Sequence, residues 1–372
     1  MFIHRHFHSS ATTIRGYICF MKKPKSYTQQ IITKKKTIYP VNEELHTYLR
    51  ENRREIDLPV SYADLKRFDG SIAVRDKKGH DTLWESALYP PNEIVHIHEG
   101  LKQIYSILKT GGDTSVHTHL HVERIDYCTF GNSNPFRIKI VNDFNDNYDY
   151  FYIKQADASR VYGLELEHIL SPARINYFVS HHTLVEEHIA GIPGDMFLSF
   201  YLNNTEFNKV RIAKEFVKFN ERCFVRLLGD MRSYNYVFDI TPDFEEVQFR
   251  IRAIDFDQQS YEGKKTLYLP QFFKENAVLV QLTLELLTAE TIKQYQKEER
   301  TLIARRSISA HHRLTHLIDV MDRDTISPKE KVIQLRNELA EHYKDVSFHD
   351  CTSMGELVRN CLRLLTEEIQ NK

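Results

Sequence analysis

Between residues 114 and 190 apolar and polar positions alternate in Val116 to Ile125, in Phe136 to Val141 and in Tyr148 to Lys154, the period of half-buried strands. The spacing then turns helical over Ala158 to Leu170. Strand character returns in Ile175 to Val179 and Thr183 to Ile189, on either side of the polar turn Ser180-His181-His182. The order predicted for this part is three strands, a helix and two more strands. Upstream, a helical run starts at Asn42 and reaches about Asn52, and a second, Ile94 to Leu108, stops at Lys109-Thr110-Gly111-Gly112. Turn signals fall between them at Asp69-Gly70, Lys78-Gly79 and Pro90-Pro91.

After Gly191-Ile192-Pro193-Gly194 a helix is predicted over Phe207 to Glu221, followed by paired strands around Tyr234 to Ile240 and Gln248 to Phe256. Residues 270–372 read as helical, with apolar spacing in Ala277 to Leu287 and start signals at Ser327-Pro328 and Ser353. The pattern gives an α+β chain in four parts. Residues 1–40 are expected to be a disordered extension, 41–113 an accessory region, 114–190 a β-rich lobe and 191–372 a helical lobe with a helical tail.

Composition narrows the setting. Lys plus Arg total 50 against 51 for Asp plus Glu, a formal charge of -1 that gives no global pull toward nucleic acid or an anionic membrane. Cys19, Cys128, Cys223, Cys351 and Cys361 are odd in number, scattered and free of any C-x-x-C pair, as expected for reduced thiols in the cytoplasm. No stretch approaches the roughly 20 consecutive apolar residues of a membrane helix. Acidic residues are missing from the first 20 positions, a composition like that of a transit peptide, but Met21 opens a new lysine-rich stretch, so an overlong reading of the start is the simpler expectation.

The strongest chemical signal is Leu228-Gly229-Asp230-Met231-Arg232-Ser233-Tyr234-Asn235, an Asp and an Asn five apart on a tight loop feeding a strand. The next strand delivers Ile254-Asp255-Phe256-Asp257 beside it. Phosphoryl transfer needs one group to orient the acceptor hydroxyl and take its proton, and hard oxygen ligands to hold Mg²⁺ on the phosphates. Asp230 suits the first task, Asn235 and Asp255 the second. Asp257, two residues on, is expected on the opposite side from Asp255.

These residues resemble the small-molecule branch of the protein-kinase-like superfamily, typified by aminoglycoside and choline phosphotransferases. Phe130-Gly131-Asn132-Ser133-Asn134 is similar to the nucleotide loop of that branch, and Phe151-Tyr152-Ile153-Lys154 resembles its third strand, ending in the lysine that pairs with the α and β phosphates. The resemblance makes Glu165 the ionic partner of Lys154. It also makes Leu184 to Gly191 the hinge, where backbone groups near Glu186 and His188 meet adenine, and gives Arg232 a place beside the transferred phosphate. It covers about residues 122–260. The order of loop, lysine, glutamate, hinge, catalytic loop and metal acid carries more weight than any one motif.

The resemblance thus implies a two-lobed protein-kinase-like fold with a β-rich N-lobe, a helical C-lobe and a helical C-terminal extension. The implied activity transfers phosphate from ATP, with Mg²⁺, to a hydroxyl of a small molecule. One alternative is a weakly active or inactive nucleotide-binding sensor or scaffold of the same fold. Another is a zinc protein, because His117, His119 and His121 share one face of a strand. Their bland reading is an exposed His-rich strand. Lys34-Lys35-Lys36 and Arg305-Arg306 are simplest as solvated runs.

Overall fold

The computed structural model describes residues 36–76, 79, 81–111, 119–129, 133–205, 207–243 and 247–370. The expected N-terminal extension up to residue 35, and with it Cys19 and Met21, lies outside the described residues, as do His117, Gly131 and Asn132. In chain order the longer elements begin with helix α1 (Glu43–Glu51), strands β1 (Gly70–Arg75) and β2 (Asp81–Leu88), and helix α2 (Pro91–Thr110). Strands β3 (Leu120–Cys128), β4 (Phe136–Asn142) and β5 (Asn147–Gln155) follow, then helix α3 (Ala158–Leu170) and strands β6 (Tyr177–Ser180), β7 (Thr183–Glu187) and β8 (Ile192–Pro193). The remainder is helix α4 (Lys209–Val225), strands β9 (Tyr236–Pro242) and β10 (Val247–Ala253), and helices α5 (Ala277–Leu286), α6 (Ala289–Ser309), α7 (His311–Arg323), α8 (Lys329–Tyr343) and α9 (Met354–Gln370).

The chain is α+β, with antiparallel strands in its N-terminal part and helices in its C-terminal part, and it divides into two compact units. The first holds Leu58–Gln155 and Thr183–Val185. Its strands β1 to β5 pair in sequence order, each antiparallel to the next. Ile138, Ile140, Phe151 and Ile153 are buried along β4 and β5, where inward residues recur at every second position. Helix α2 packs against β3 and ends at Gly111, whose left-handed φ of 67° a side chain would disfavour. The hairpin β1–β2 fills the stretch that shows only turn signals in the sequence. Its strands are mostly exposed or half-buried, so no apolar alternation marks them.

The second unit holds Ile38–Asp57, Ala156–His182 and Glu186–Lys372. Asn42 caps α1 by accepting the Leu45 N–H at 2.8 Å, and Asp157 caps α3 by accepting the Arg160 N–H at 3.2 Å. Every residue of α3 except His168 is buried, although the helix carries Arg160, Glu165 and Glu167. Helix α4 packs against α5 and α6, while α7 packs against α9 and α1. A small sheet in the order β10-β9-β8 stands beside this helical body. Among the described residues no helix is long and apolar enough to cross a membrane.

Candidate active site

Helix α4 is capped at its C-terminal end by Arg226, whose guanidinium is bound by the buried carboxylate of Glu167 on α3 and donates to the Arg222 carbonyl at 2.8 Å. The chain then enters a loop that two left-handed residues shape, Leu227 at φ 54° and Asp230 at φ 57°. Asp tolerates this region because its short side chain can bond locally, whereas Leu there is a strained choice held by its surroundings. The holding bonds are visible: Ser260 donates its N–H to Leu227 O at 2.8 Å, and Gly229 and Asp230 donate theirs to Gln258 O at 3.2 Å and Leu267 O at 3.0 Å.

Asp230, Arg232 and Asn235 come together within this loop. Arg232 Nε donates to Asp230 Oδ1 at 2.8 Å, and its Nη1 donates to Glu275 Oε1 at 3.0 Å. Asn235 Nδ2 donates to the Asp230 carbonyl at 2.7 Å, which turns the amide oxygen to the other side. Burial raises the Asp230 carboxyl above its ordinary value. The hydrogen bond and charge of Arg232 oppose that shift, and the charges of Asp255 and Glu275 add to it. Asn276, wholly buried, fastens the loop from behind, donating to Met231 O at 2.9 Å and Pro270 O at 2.8 Å while accepting the Tyr236 hydroxyl at 2.7 Å.

Asp255 follows the last pair of the β9–β10 ladder, Ala253 opposite Tyr236, and the Ile254 N–H donates to Asn235 O at 3.0 Å. Its partner is one that sequence reasoning missed. Arg160 reaches from α3 with Nη2 2.9 Å from Asp255 Oδ1, Nε 2.6 Å from Asp257 Oδ1 and Nη1 3.1 Å from Glu186 Oε1. Burial alone would lower the pKa of this guanidinium, but Asp257, Glu186 and Asp255 outweigh it and hold the pKa well above the ordinary value. The expectation that Asp257 points away from Asp255 fails: residues two apart on a strand share a face, and β10 in any case ends at Ala253. The chain turns there, with the Asp257 N–H donating to Asp255 Oδ1 at 3.0 Å, and both carboxylates meet the same arginine.

The resemblance pairs Glu165 with Lys154. The structure gives the Glu165 carboxylate partners inside the second unit: the hydroxyls of Tyr48, at 2.8 Å, and Tyr177, with Arg313 Nε at 2.6 Å and Arg54 Nε at 3.7 Å. In the first unit Lys154 is a buried residue of β5, its ammonium 5.6 Å from the Tyr152 ring centre. Of the nucleotide-loop residues, Ser133 and Asn134 are described. Asn134 has φ 40° and closes the loop by donating to Cys128 O at 3.1 Å. His188 follows β7 and is half-buried.

For a hard dication the donor set fits in kind, a carboxylate and an amide oxygen at Asp255 and Asn235. It fits with a competitor in place, since Asp255 Oδ1 already accepts from Arg160 and from a backbone N–H. The zinc alternative gains no support. Among the described residues no group of three or more His, Cys, Asp or Glu side chains is placed to hold a metal ion. His121 pairs with Asp143, and the His119 ring lies 3.9 Å from that of Phe144.

No family model matches the sequence, and no curated protein matches it. Among solved structures the chain is similar to the autoinhibited serine kinase domain of the giant muscle protein titin, at 14% identity and a TM-score of 0.23, over 60% of this chain and 87% of that one. A second structure, titin kinase and its flanking domains, gives 13% and 0.21 over 61% and 51%. The Neurospora crassa PAN3 pseudokinase gives 8% and 0.19 over 76% and 71%. All three are kinase-like folds, and likeness at this level says nothing of activity.

Arg160, Glu275 and Asn276 are the site residues missing from the sequence reading. Only Arg160 leaves a local signal, a cation near the start of a helix whose other positions are largely apolar.

Proposed function

We propose that this chain binds ATP with kinase-like machinery and moves its terminal phosphate to a hydroxyl group of a small molecule. The observation that supports this most is the backbone fastening of the Asp230 loop to the Asp255 segment, with Ile254 donating to Asn235 O at 3.0 Å. That fastening joins the loop carrying Asp230 and Asn235 to the segment carrying Asp255, which supports reading the three as one phosphoryl-transfer set.

In this reading Asp230 takes the proton of the acceptor hydroxyl as that oxygen bonds to the terminal phosphorus. The bond from phosphorus to the bridging oxygen breaks, and ADP leaves with the electron pair. Arg232 exchanges part of its contact with Asp230 for the transferred phosphate. Asn235 and Asp255 would hold magnesium, whose chemistry is to neutralise the phosphate oxygens. Gly131, Asn132, Ser133, Asn134 and Lys154 are assigned to the phosphates, and the backbone around Glu186 and His188 to adenine, on the resemblance. Glu165 is read as structural, because two arginines and two tyrosines already satisfy it. The buried free thiols Cys128, Cys223, Cys351 and Cys361 suit a cytoplasmic setting.

The second reading, a nucleotide-binding sensor with little or no turnover, is favoured by one observation: the cation facing Asp255 is Arg160. Thermal denaturation with ATP, ADP and GTP, with and without Mg²⁺, is the first test, since a ligand of the native state raises apparent stability. Stabilisation followed by ADP release with a hydroxyl acceptor is expected. Stabilisation without turnover across sugars, amino alcohols and aminoglycosides would transfer the case to the sensor, and no stabilisation by any nucleotide would overturn both.

A further inference from the structure

We propose that Arg160 is the resident counter-ion of Asp255 and holds down the affinity of that carboxylate for a divalent cation. The inference rests on the reading of Asp255 as a metal ligand, and it assigns to this chain a built-in competitor for the metal.

The competitor is fixed in place by the way α3 meets the segment after β10. Gly163, one turn beyond Arg160 and on the same helix face, lies so close to that segment that an added Cβ would stand 3.0 Å from Phe256 Cβ and 3.1 Å from Gln259 Cβ. Ser159 Oγ donates to Gln259 O at 2.8 Å on the same face. The approach that the missing side chain permits brings the Arg160 fork onto the carboxylates, and the Arg160 side chain is 2% exposed. Such a cation has little freedom to swing out to water.

Three carboxylates face it, and they are not equivalent. Glu186 and Asp257 have side chains 6% and 12% exposed, whereas that of Asp255 is 35% exposed. Asp255 is therefore the carboxylate an incoming ion can reach from solvent. If Asp255 turned toward such an ion, Arg160 would keep Asp257 and Glu186 and would not become a buried charge without a partner, the outcome that makes breaking a buried pair so costly. The exchange is thus open but uphill. A dication on Asp255 must share a carboxylate already paired with a guanidinium, and it must sit within a few ångströms of that like charge.

The consequence is a metal site set weak, able to fill when phosphates bring further oxygen ligands and reluctant to fill without them. Lysine at position 160 would not do the same, because one ammonium cannot present the planar fork that spans three carboxylates.

The test uses the full chain and Mn²⁺ alone, read by the loss of the free-ion paramagnetic resonance signal, with no nucleotide and no turnover. Arg160→Gln should bind Mn²⁺ at least about tenfold tighter than wild type, since a like charge and a competitor leave together. Adding Asp255→Asn to Arg160→Gln should abolish that gain. Equal affinity in wild type and Arg160→Gln, with binding lost on adding Asp255→Asn, would overturn this proposal while leaving Asp255 as a ligand. Tight binding that survives Asp255→Asn would overturn the underlying assignment of the metal to Asp255. Should circular dichroism show Arg160→Gln unfolded, Arg160→Lys keeps a buried cation and reads the same comparison. Tighter Mn²⁺ binding in Arg160→Lys than in wild type is then expected, and unchanged binding would sink the proposal.

Discussion

Arg313 Nε lies 2.6 Å from Glu165 Oε1, joining residues 148 apart in the chain at a carboxylate with no exposure to solvent. Through this pair α7 is tied to α3, and the Tyr48 hydroxyl at 2.8 Å ties in α1 as well. The helices expected as a C-terminal tail are in this respect part of the body that carries the Asp230 loop, and α1, the first helix predicted in the accessory region, packs among them.

Removing the charge at that point should be felt as stability before it is felt as function. Glu165→Gln leaves Arg54 and Arg313 facing a neutral amide in a buried place, and the expected loss is about 3–5 kcal/mol. Arg313→Ala should cost less, about 1–3 kcal/mol, because Arg54 and two tyrosine hydroxyls still serve the carboxylate. Urea midpoints of the two variants check the order. A Glu165→Gln protein within about 0.5 kcal/mol of wild type would show that the cluster is not a keystone.

A second consequence of the same cluster is a pH dependence of stability. His168 Nδ1 lies 2.8 Å from Arg54 Nη2, so the ring accepts as a neutral imidazole, and burial first, then the Arg54 charge, pushes its pKa from 6.5 down to about 4. The unfolded chain binds a proton on this ring over that interval and the folded one does not. Stability contributed by His168 is therefore complete above pH 6.5 and falls as the pH drops toward about 4. His168→Gln should show a shallower decline than wild type across this window in chemical denaturation, and parallel curves would count against the assignment.

Much of this was legible in the sequence and some of it was not, for separable reasons. The bounds of α3, Ala158 and Leu170, follow from a capping Asp157 and from apolar positions at helical spacing, which are local facts. The β9–β10 hairpin was equally plain, because alternation and spacing set it. β1 and β2 escaped because neither buries a continuous face. Arg160 escaped for a deeper reason: which carboxylates a buried arginine meets is decided by how closely α3 can approach, and that depends on Gly163 meeting Phe256, residues 93 positions apart by their numbers. Asp230, Asn235 and Asp255 could be singled out because their chemistry and order are themselves a pattern.

Activity, if Asp230 is the proton acceptor, should follow its ionisation. The carboxylate must be charged to act, and burial raises its pKa against the pull of Arg232, so the rate should fall as the pH drops through a value above the ordinary 3.8. Arg232→Gln removes the opposing charge and should move that acid limb to higher pH. Asp230→Asn should lose about 10²–10⁴ in turnover with little change in nucleotide binding. A rate profile that Arg232→Gln leaves unmoved would assign the limb to another group.

The placement of Asn235 depends on a residue that has no side chain at all. Gly194 follows β8, which pairs through Pro193 with Val237 of β9, and it sits against the turn Ser233–Asn235. A Cβ there would fall 2.8 Å from Tyr236 Cδ2 and closer still to Tyr236 Cε2 and the Ser233 carbonyl oxygen. Neither neighbour can yield easily. The Tyr236 hydroxyl is held by Asn276 at 2.7 Å, Asn276 in turn holds Met231 O, and the Ser233 carbonyl belongs to the backbone turn that aims Asn235. Gly194→Ala should therefore cost about 1–3 kcal/mol as an overpacked site. The strain relieves most directly by pushing the turn outward, so the part of the protein most disturbed should be Asn235 and its contact with Asp230. Gly70→Ala is the control, since nothing lies within 4 Å of the position its methyl would take, and it should stay within about 0.5 kcal/mol of wild type. Denaturant midpoints separate the two variants, and amide exchange at residues 231–236 locates the damage. Faster exchange in that stretch of Gly194→Ala, with the rest of the second unit unchanged, is expected; equal stability of the two variants would mean that the β8 turn does not support the loop.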